Sequence, residues 1–455
     1  MKEDRFQIYK KALEEQPDCA AAVRGAEAQA NLPFYASLYL HTFAPAIVKF
    51  AGWVLDEAVR AGKKRLYFLS RDGYQPYLAA CRLAERRRLK IECRYLHVSR
   101  YCLRVPAYHL DMQSGLNQIC AGGIDVTPEK LLKRGALTDA ECMEVAERLG
   151  LQKCYRHILS RRQLRQLKQV LAKETVFLRY VEQHSRESYA DAMGYLAQEG
   201  LLSDIPYAIV DSGWVGTLQQ TMELLVQSRK PQSRVEGYYF GLYEIPAGAR
   251  RDAYHTYYFA PHSGLQRKVH FSNSFFEAVC SADEGMTNGY LQKGGSYFPR
   301  QEAAGLNREH MQWSKKTLEL FLHHYEEKQE KNAEKRMIEK LFTALMSCPS
   351  KLEADSFGDI RFSDDVREDG DSRLAAELTE EEIKNQHILR KLCIVAGLKK
   401  AVIHESAWME GSIVKNGIRK GKDRRRYIKK ELFHICLQKY LIYARKQIKS
   451  GKKRK

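Results

Sequence analysis

The chain has 455 residues, 44% of them hydrophobic and 29% charged, with 29 Gly and 12 Pro. That is enough for two or three packed domains, and it excludes a fibre, a collagen-like chain and any long Pro-rich linker. The formal charge of +19 is concentrated at one end: Lys415 to Lys455 holds 17 Lys or Arg against Asp423 and Glu431, a net of +15, so the first 414 residues carry only +4 and form no broad basic groove.

In chain order, residues 1–33 read as an N-terminal helical segment whose first 16 residues alternate in charge and lack the apolar core of a signal peptide. From Phe34 to Ala61 helical periodicity runs through Leu38, Phe43, Ile47, Phe50, Val54 and Leu55, with a break or kink expected at Pro45. His41 and Lys49 interrupt this stretch, so it is expected to be a core helix of a cytoplasmic protein and not a membrane span. The 11 cysteines contain no Cys-x-x-Cys pair and no zinc spacing, so buried thiols are expected, with no zinc, no haem and no nicotinamide site.

Arg65 to Leu69 is a strand-type run that ends in the polar turn Ser70-Arg71-Asp72-Gly73-Tyr74. Pro76 opens a helix reaching Arg88, and a second strand, Cys93 to Val98, delivers Ser99 and Arg100, followed by Arg104. Residues 113–203 read as a helical insertion. A second strand-helix-strand unit follows: Tyr207 to Val210, the turn Asp211-Ser212-Gly213-Trp214-Val215-Gly216-Thr217, a helix from Leu218 to Val226, and the strand Val235 to Tyr243. Two such units predict an α/β domain with a parallel layered sheet, split as 34–112 and 204–300, whose ligands bind outside the carboxyl ends of the strands. Tyr254 to Phe259 is a further strand candidate, and Phe271 to Gly289 is mixed. Residues 301–414 turn helical around an acidic stretch, Lys351 to Glu382, of net charge −8, expected to be a solvated loop and a helix start. Residues 415–455 form a basic amphipathic tail.

The turn after the second unit's first strand carries the most chemistry. Gly213 and Gly216, spaced Gly-x-x-Gly and followed by Thr217 at a helix start, outline a phosphate cradle, and Asp211 could hold a ribose, bind magnesium or accept a proton. A plain tight turn is the competing reading. Arg71 beside Asp72 could be a structural ion pair, but with Arg100 and Arg104 arriving from the neighbouring strand the same edge gathers the cations that a diphosphate requires. No Walker loop, dinucleotide turn, Gly-x-Ser-x-Gly elbow or His-Glu-x-x-His helix is present. The Asp-x-Asp nucleophile of haloacid-dehalogenase phosphatases is absent from every strand, and the one Asp-x-Asp, Asp369-Gly370-Asp371, lies in the acidic stretch. In the tail, Leu432, Ile435, Cys436, Tyr440, Leu441 and Ile448 alternate with bases, as in a helix lying on an anionic membrane surface or docked on the body; nucleic acid is disfavoured because no stacking platform accompanies the charge.

The blocks Arg-Leu-Tyr-Phe-Leu-Ser-Arg-Asp-Gly-Tyr (65–74) and Val-Asp-Ser-Gly-Trp-Val-Gly-Thr-Leu-Gln (210–219), with Val98-Ser99-Arg100 and Leu103-Arg104-Val105-Pro106 between them, resemble a bacterial surface-polysaccharide family. Its members often follow a haloacid-dehalogenase domain and are loosely described as predicted hydrolases. Residues 34–295 are similar to the glycan phosphoribosyltransferase module of ribofuranosyltransferases. The resemblance implies transfer of a 5-phosphoribosyl group from phosphoribosyl diphosphate, with Mg2+, to a sugar hydroxyl of a glycan, lipid-linked or free, in capsule or O-antigen synthesis. It also implies a separate phosphatase protein, unless the transferred sugar differs and the donor is a nucleotide sugar. On that reading Arg71, Arg100 and Arg104 hold the diphosphate, Gly213, Gly216 and Thr217 the 5-phosphate, and Trp214 and Gln219 the sugar, with Ser70, Gly73, Ser99 and Ser212 completing the substrate set. Asp72 and Asp211 are base or metal ligands, Asp211 the favoured base, and Glu277 is a third carboxylate with a structural role as the competing reading. A haloacid-dehalogenase-like hydrolase and a non-enzymatic membrane-surface or nucleic-acid adaptor are the alternatives, and peripheral attachment to the inner membrane face is an expectation of the tail.

Overall fold

The computed structural model describes residues 2–123, 126–303, 305, 307–328, 333–361, 373–395, 398–399, 401, 403–404, 406–416 and 421–452. The elements that build the site are, in chain order, α1 (Phe34–Arg60), β1 (Arg65–Leu69), α2 (Tyr74–Arg86), β2 (Glu92–Leu96), α3 (Arg100–Ala107), α4 (Thr175–Gln198), β3 (Tyr207–Asp211), α5 (Thr217–Gln227), β4 (Gly237–Gly241), β5 (Tyr254–Phe259), α6 (Asn273–Cys280), β6 (Thr287–Lys293), β7 (Ser296–Gln301), α7 (Arg308–His324) and α8 (Gly421–Lys452). The protein is α/β: strands β1 to β5 form one all-parallel sheet in the order β2-β1-β3-β4-β5.

Every residue of β1 and β4 is buried, as expected when helices cover both faces of a parallel sheet. Side chains alternate between the faces. Leu66, Phe68, Ala208, Val210, Tyr238 and Phe240 join the core beneath α1, α2, α6 and α7, whereas Tyr67, Leu69 and Ile209 join the core beneath α4 and α5. From β1 the connection to β2 runs toward one edge, and from β3 the connections to β4 and β5 run toward the other. The order therefore reverses between β1 and β3. A crevice opens at such a point beyond the carboxyl ends of the strands, and both polar turns emerge there.

α1 is one continuous helix through Pro45, so the expected break is absent. Nineteen of its residues are buried, and packing on all sides holds the geometry although Pro45 cannot bond to the His41 carbonyl. By length and composition alone α1 could cross a bilayer, yet it is enclosed by the rest of the molecule, and its Lys49 ammonium pairs with Asp18 at 2.6 Å, both groups buried.

Between β2 and β3 the chain runs through a set of helices with a core of its own, including Leu116, Leu131, Val145, Leu171 and Phe177. The mixed segment 271–289 resolves into α6 and the start of β6, which pairs antiparallel with β7 across Gly294 and Gly295. In the acidic stretch, Lys351–Gly358 and Glu380–Asn385 are helical, and residues 362–372, including Asp369-Gly370-Asp371, lie outside the described residues. The tail is a 32-residue helix, α8.

Candidate active site

The turn after β1 is fixed by short-range bonding. Ser70 Oγ donates to the Val98 carbonyl (2.7 Å) and accepts from Val98 N–H (3.0 Å), tying the ends of β1 and β2 together. Gly73 donates its N–H to the Leu69 carbonyl at 3.0 Å, and a Cβ there would stand 2.2 Å from that oxygen, so only glycine permits this turn. The following helix starts at once with Tyr74, and Arg71 and Asp72 project into the crevice, where they line a cavity of about 920 Å³. The Ala282 N–H bonds the Arg71 carbonyl (3.1 Å), bringing the end of α6 against this turn.

Ser99 is the N-cap of α3: its hydroxyl accepts from Cys102 N–H (3.1 Å) and donates to the Thr287 carbonyl (2.5 Å). Arg100 and Arg104, four residues apart on α3, share a helix face and both line the cavity. Arg104 is buried, its Nη2 donates to Thr217 Oγ1 at 3.1 Å, and its Nε has no partner among the described residues. Burial, then the nearby charges of Arg100 and Arg134, bring its pKa down to about 10.

Gly213 and Gly216 shape the turn after β3. Gly213 has φ 140° and passes so close to β4 that a Cβ would meet the Gly241 carbonyl oxygen at 2.1 Å. Gly216 has φ 70° and caps α5, with the Tyr254 ring where a side chain would go. The turn is pinned by Gly241 N–H to the Ser212 carbonyl (3.2 Å) and Tyr243 N–H to the Trp214 carbonyl (2.8 Å). Gly216, Thr217 and Leu218 thus present the amino end of the 11-residue α5 to the cavity. The Ser70-Arg71 and Gly213-Trp214 peptides are cis.

Asp72, Asp211 and Glu277 line this cavity, together with Glu244, Asp283, Glu284 and Glu302. Burial, reinforced by the charges of Asp72 and Glu277, pushes the Asp211 pKa well above the carboxylate range, against the pull of the Ser212 N–H and Arg100. Burial also raises Asp72, countered by Ser212, by its own N–H and by Arg71 and Arg100. The Ser212 hydroxyl is near enough to favour ionised Asp72 but makes no hydrogen bond of normal geometry among the described residues. The Arg100 charge thus acts on Asp72 and Asp211, which it helps ionise, and on Arg104, whose charge it opposes. Trp214 Nε1 donates to Glu277 Oε1 at 2.5 Å, so α6 and the second turn hold each other in place.

Of the residues predicted from sequence, Ser70, Arg71, Asp72, Ser99, Arg100, Arg104, Asp211, Gly213, Trp214, Gly216, Thr217 and Glu277 line the one cavity; Gly73, Ser212 and Gln219 do not. Gln219 was expected at the sugar, but it is wholly buried behind the turn. Its amide donates to the Val235 (2.8 Å) and Ala253 (3.1 Å) carbonyls and its oxygen accepts from Tyr239 Oη (2.7 Å), which locks α5 to the sheet. Among the lining residues that escaped the sequence reading are Arg361, Tyr443 and Lys446. The last two come from α8, where Tyr443 stacks on Tyr243 at 4.9 Å and Lys446 pairs with Glu244 at 2.6 Å. The alternation of apolar and basic residues signalled a helix but not its docking partner. Among the described residues no three His, Cys, Asp or Glu side chains converge as a ready-made metal site, which leaves Asp72 and Asp211 as a two-carboxylate oxygen donor set. No protein-family model matches the chain, and no curated protein matches it in sequence.

Proposed function

We propose that the protein is a glycosyl-type transferase that moves a 5-phosphoribosyl group from phosphoribosyl diphosphate to a sugar hydroxyl of a bacterial surface glycan. The observation that carries this reading is the buried Arg104, bonded to Thr217 at the amino end of α5 and without an anionic partner among the described residues, facing a carboxylate cluster across one cavity. A desolvated arginine, a helix N-terminus and a hydroxyl form a receptor for a phosphoryl group, and an adjoining carboxylate supplies a base. A volume of about 920 Å³ accommodates the donor together with the acceptor's terminal sugar.

In this mechanism Thr217, the Gly216-Thr217 backbone and Arg104 hold the 5-phosphate, so Arg104, first expected on the diphosphate, moves to the other end of the donor. Arg71 and Arg100 face the diphosphate. The acceptor oxygen bonds to ribose C1 as the C1–O bond to diphosphate breaks; the electron pair leaves with the diphosphate, and the acceptor proton passes to the Asp211 carboxylate. The cations stabilise the departing charge, and the neighbours that raise Asp211's proton affinity make its ionised form a stronger base. Two oxygen donors, Asp72 and Asp211, fit magnesium, which takes one or two carboxylates and fills its shell from substrate phosphates; when bound it supplies charge neutralisation to the diphosphate. A separate phosphatase then removes the 5-phosphate from the product.

Calorimetric titration with phosphoribosyl diphosphate and magnesium, beside nucleotide sugars, tests the donor. Micromolar binding that is lost in Arg71→Ala and in Thr217→Ala is expected, with Asp211→Asn retaining binding and losing transfer. Absence of binding, with a nucleotide sugar bound instead, overturns the phosphoribosyl assignment.

A further inference from the structure

α8 has two faces. Ile428, Leu432, Ile435, Lys439, Tyr443 and Lys446 recur every three or four residues and turn toward the body, where Ile435 is buried, Lys439 pairs with the buried Glu410 at 2.6 Å, and Tyr443 and Lys446 reach the cavity. The tail residues expected to contact lipid are therefore divided, because Leu432 and Ile435 are packed inside. A second series, Phe433, Leu437, Tyr440, Leu441 and Ile448, has the same spacing on another side of the helix and is exposed, Phe433 by 64% and Ile448 by 62%. A stripe of large apolar side chains facing water along four turns is not what a docked surface helix requires.

We propose that this outer face of α8 lies on an anionic lipid bilayer. Charge complementarity selects that occupant. Arg425, Arg426, Lys429, Lys430, Arg445 and Lys449 are exposed around the stripe, and between Leu432 and Lys455 the sequence has eight Lys or Arg and no Asp or Glu. An apolar stripe flanked by bases is the pattern of a helix that buries one side among acyl chains while its cations meet anionic headgroups. Because the opposite side of the same helix walls the cavity, the cavity would sit about one helix diameter, ~10 Å, from the lipid surface. A membrane-borne acceptor would then meet the site without leaving its bilayer.

The test is co-sedimentation of the full chain with vesicles of phosphatidylcholine alone and of phosphatidylcholine with phosphatidylglycerol. The protein is expected to pellet with the anionic vesicles only, and the double variant Phe433→Ser/Leu441→Ser, which keeps every charge, to partition at least tenfold less while melting as the parent does. Equal partition of variant and parent, or no pelleting with either vesicle, overturns the proposal. So does a solution dimer that the double variant dissociates, which would assign the stripe to a second copy. The inference does not depend on the chemistry of the cavity: titration of the double variant with phosphoribosyl diphosphate in the absence of vesicles reads the donor site separately.

Discussion

Replacing Arg104 with Met should make the unliganded protein more stable. The arginine is buried, donates one hydrogen bond in the described structure, to Thr217 at 3.1 Å, and has no carboxylate among the groups that set its proton affinity. Burial and the charges of Arg100 and Arg134 bring it from the ordinary arginine value to about 10, which corresponds to roughly 3 kcal/mol against the charged form. Losing the bond to Thr217 costs about 1 kcal/mol, so Met, with similar length and no charge, should gain about 2 kcal/mol. The sign follows from linkage: a base whose folded pKa is depressed carries its penalty in full at neutral pH and sheds it as pH rises through about 10, so the advantage of Met should shrink in that window. Thermal denaturation of both proteins at neutral pH, with and without inorganic phosphate, the anion that matches the Arg104 and Thr217 end of the donor, is the assay. A saturating anion should raise the melting temperature of the parent, by the equivalent of about 2.7 kcal/mol at a hundredfold excess over Kd, and leave the variant unmoved. A variant that melts well below the parent without ligand would make Arg104 a structural strut and refute the anion site.

Glu277→Gln keeps an acceptor for Trp214 but removes a charge that raises Asp211, so the acidic limb of the pH-rate profile should move to lower pH; an unmoved limb would separate Asp211 from the rate. Gly216→Ala places a Cβ at φ 70° and 2.5 Å from the Tyr254 ring, and should cost about 1–3 kcal/mol in chemical denaturation together with a marked loss of phosphate affinity. Lys49→Met strands the buried Asp18 and should destabilise by about 3–5 kcal/mol. Burial alone would raise Asp18, but Lys49 and the backbone N–H groups of Cys19 and Lys328 outweigh it and hold its pKa down. The pair's contribution is therefore present above the unfolded carboxylate pKa and lost as pH falls through the lowered folded value, so parent and variant should converge in acid.

What the sequence reveals most clearly here is local. The two strand-turn-helix units are legible because apolar runs, a polar turn and a helix start follow each other within about 20 residues, and the observed β5 has the bounds of the aromatic run Tyr254 to Phe259. The switch point between β1 and β3 follows from having two such units, and it is what gathers twelve of the fifteen predicted residues around one cavity. Illegible features depend on distant partners. Gln219 lies two residues past Thr217, hence on the other side of α5, and its side chain points back to the carbonyls of Val235 and Ala253, partners that no local pattern names. The β6-β7 hairpin was signalled by Gly294-Gly295 between alternating residues, a turn cue that the mixed composition of 271–289 obscured. Tyr443 and Lys446 meet residues about 200 positions earlier, Tyr243 and Glu244, and no local pattern carries that pairing.

That last contact bears on how the protein is made. The sheet and both turns are complete in sequence by residue 259, yet the wall formed by Tyr443 and Lys446 exists only once α8 has been synthesised and has docked through Lys439 and Glu410. During translation the crevice must therefore stay open on that side for the time taken to add nearly 200 residues. A nascent chain with an intact sheet therefore presents Arg104 and the amino end of α5 before Tyr443 and Lys446 are there to wall the cavity.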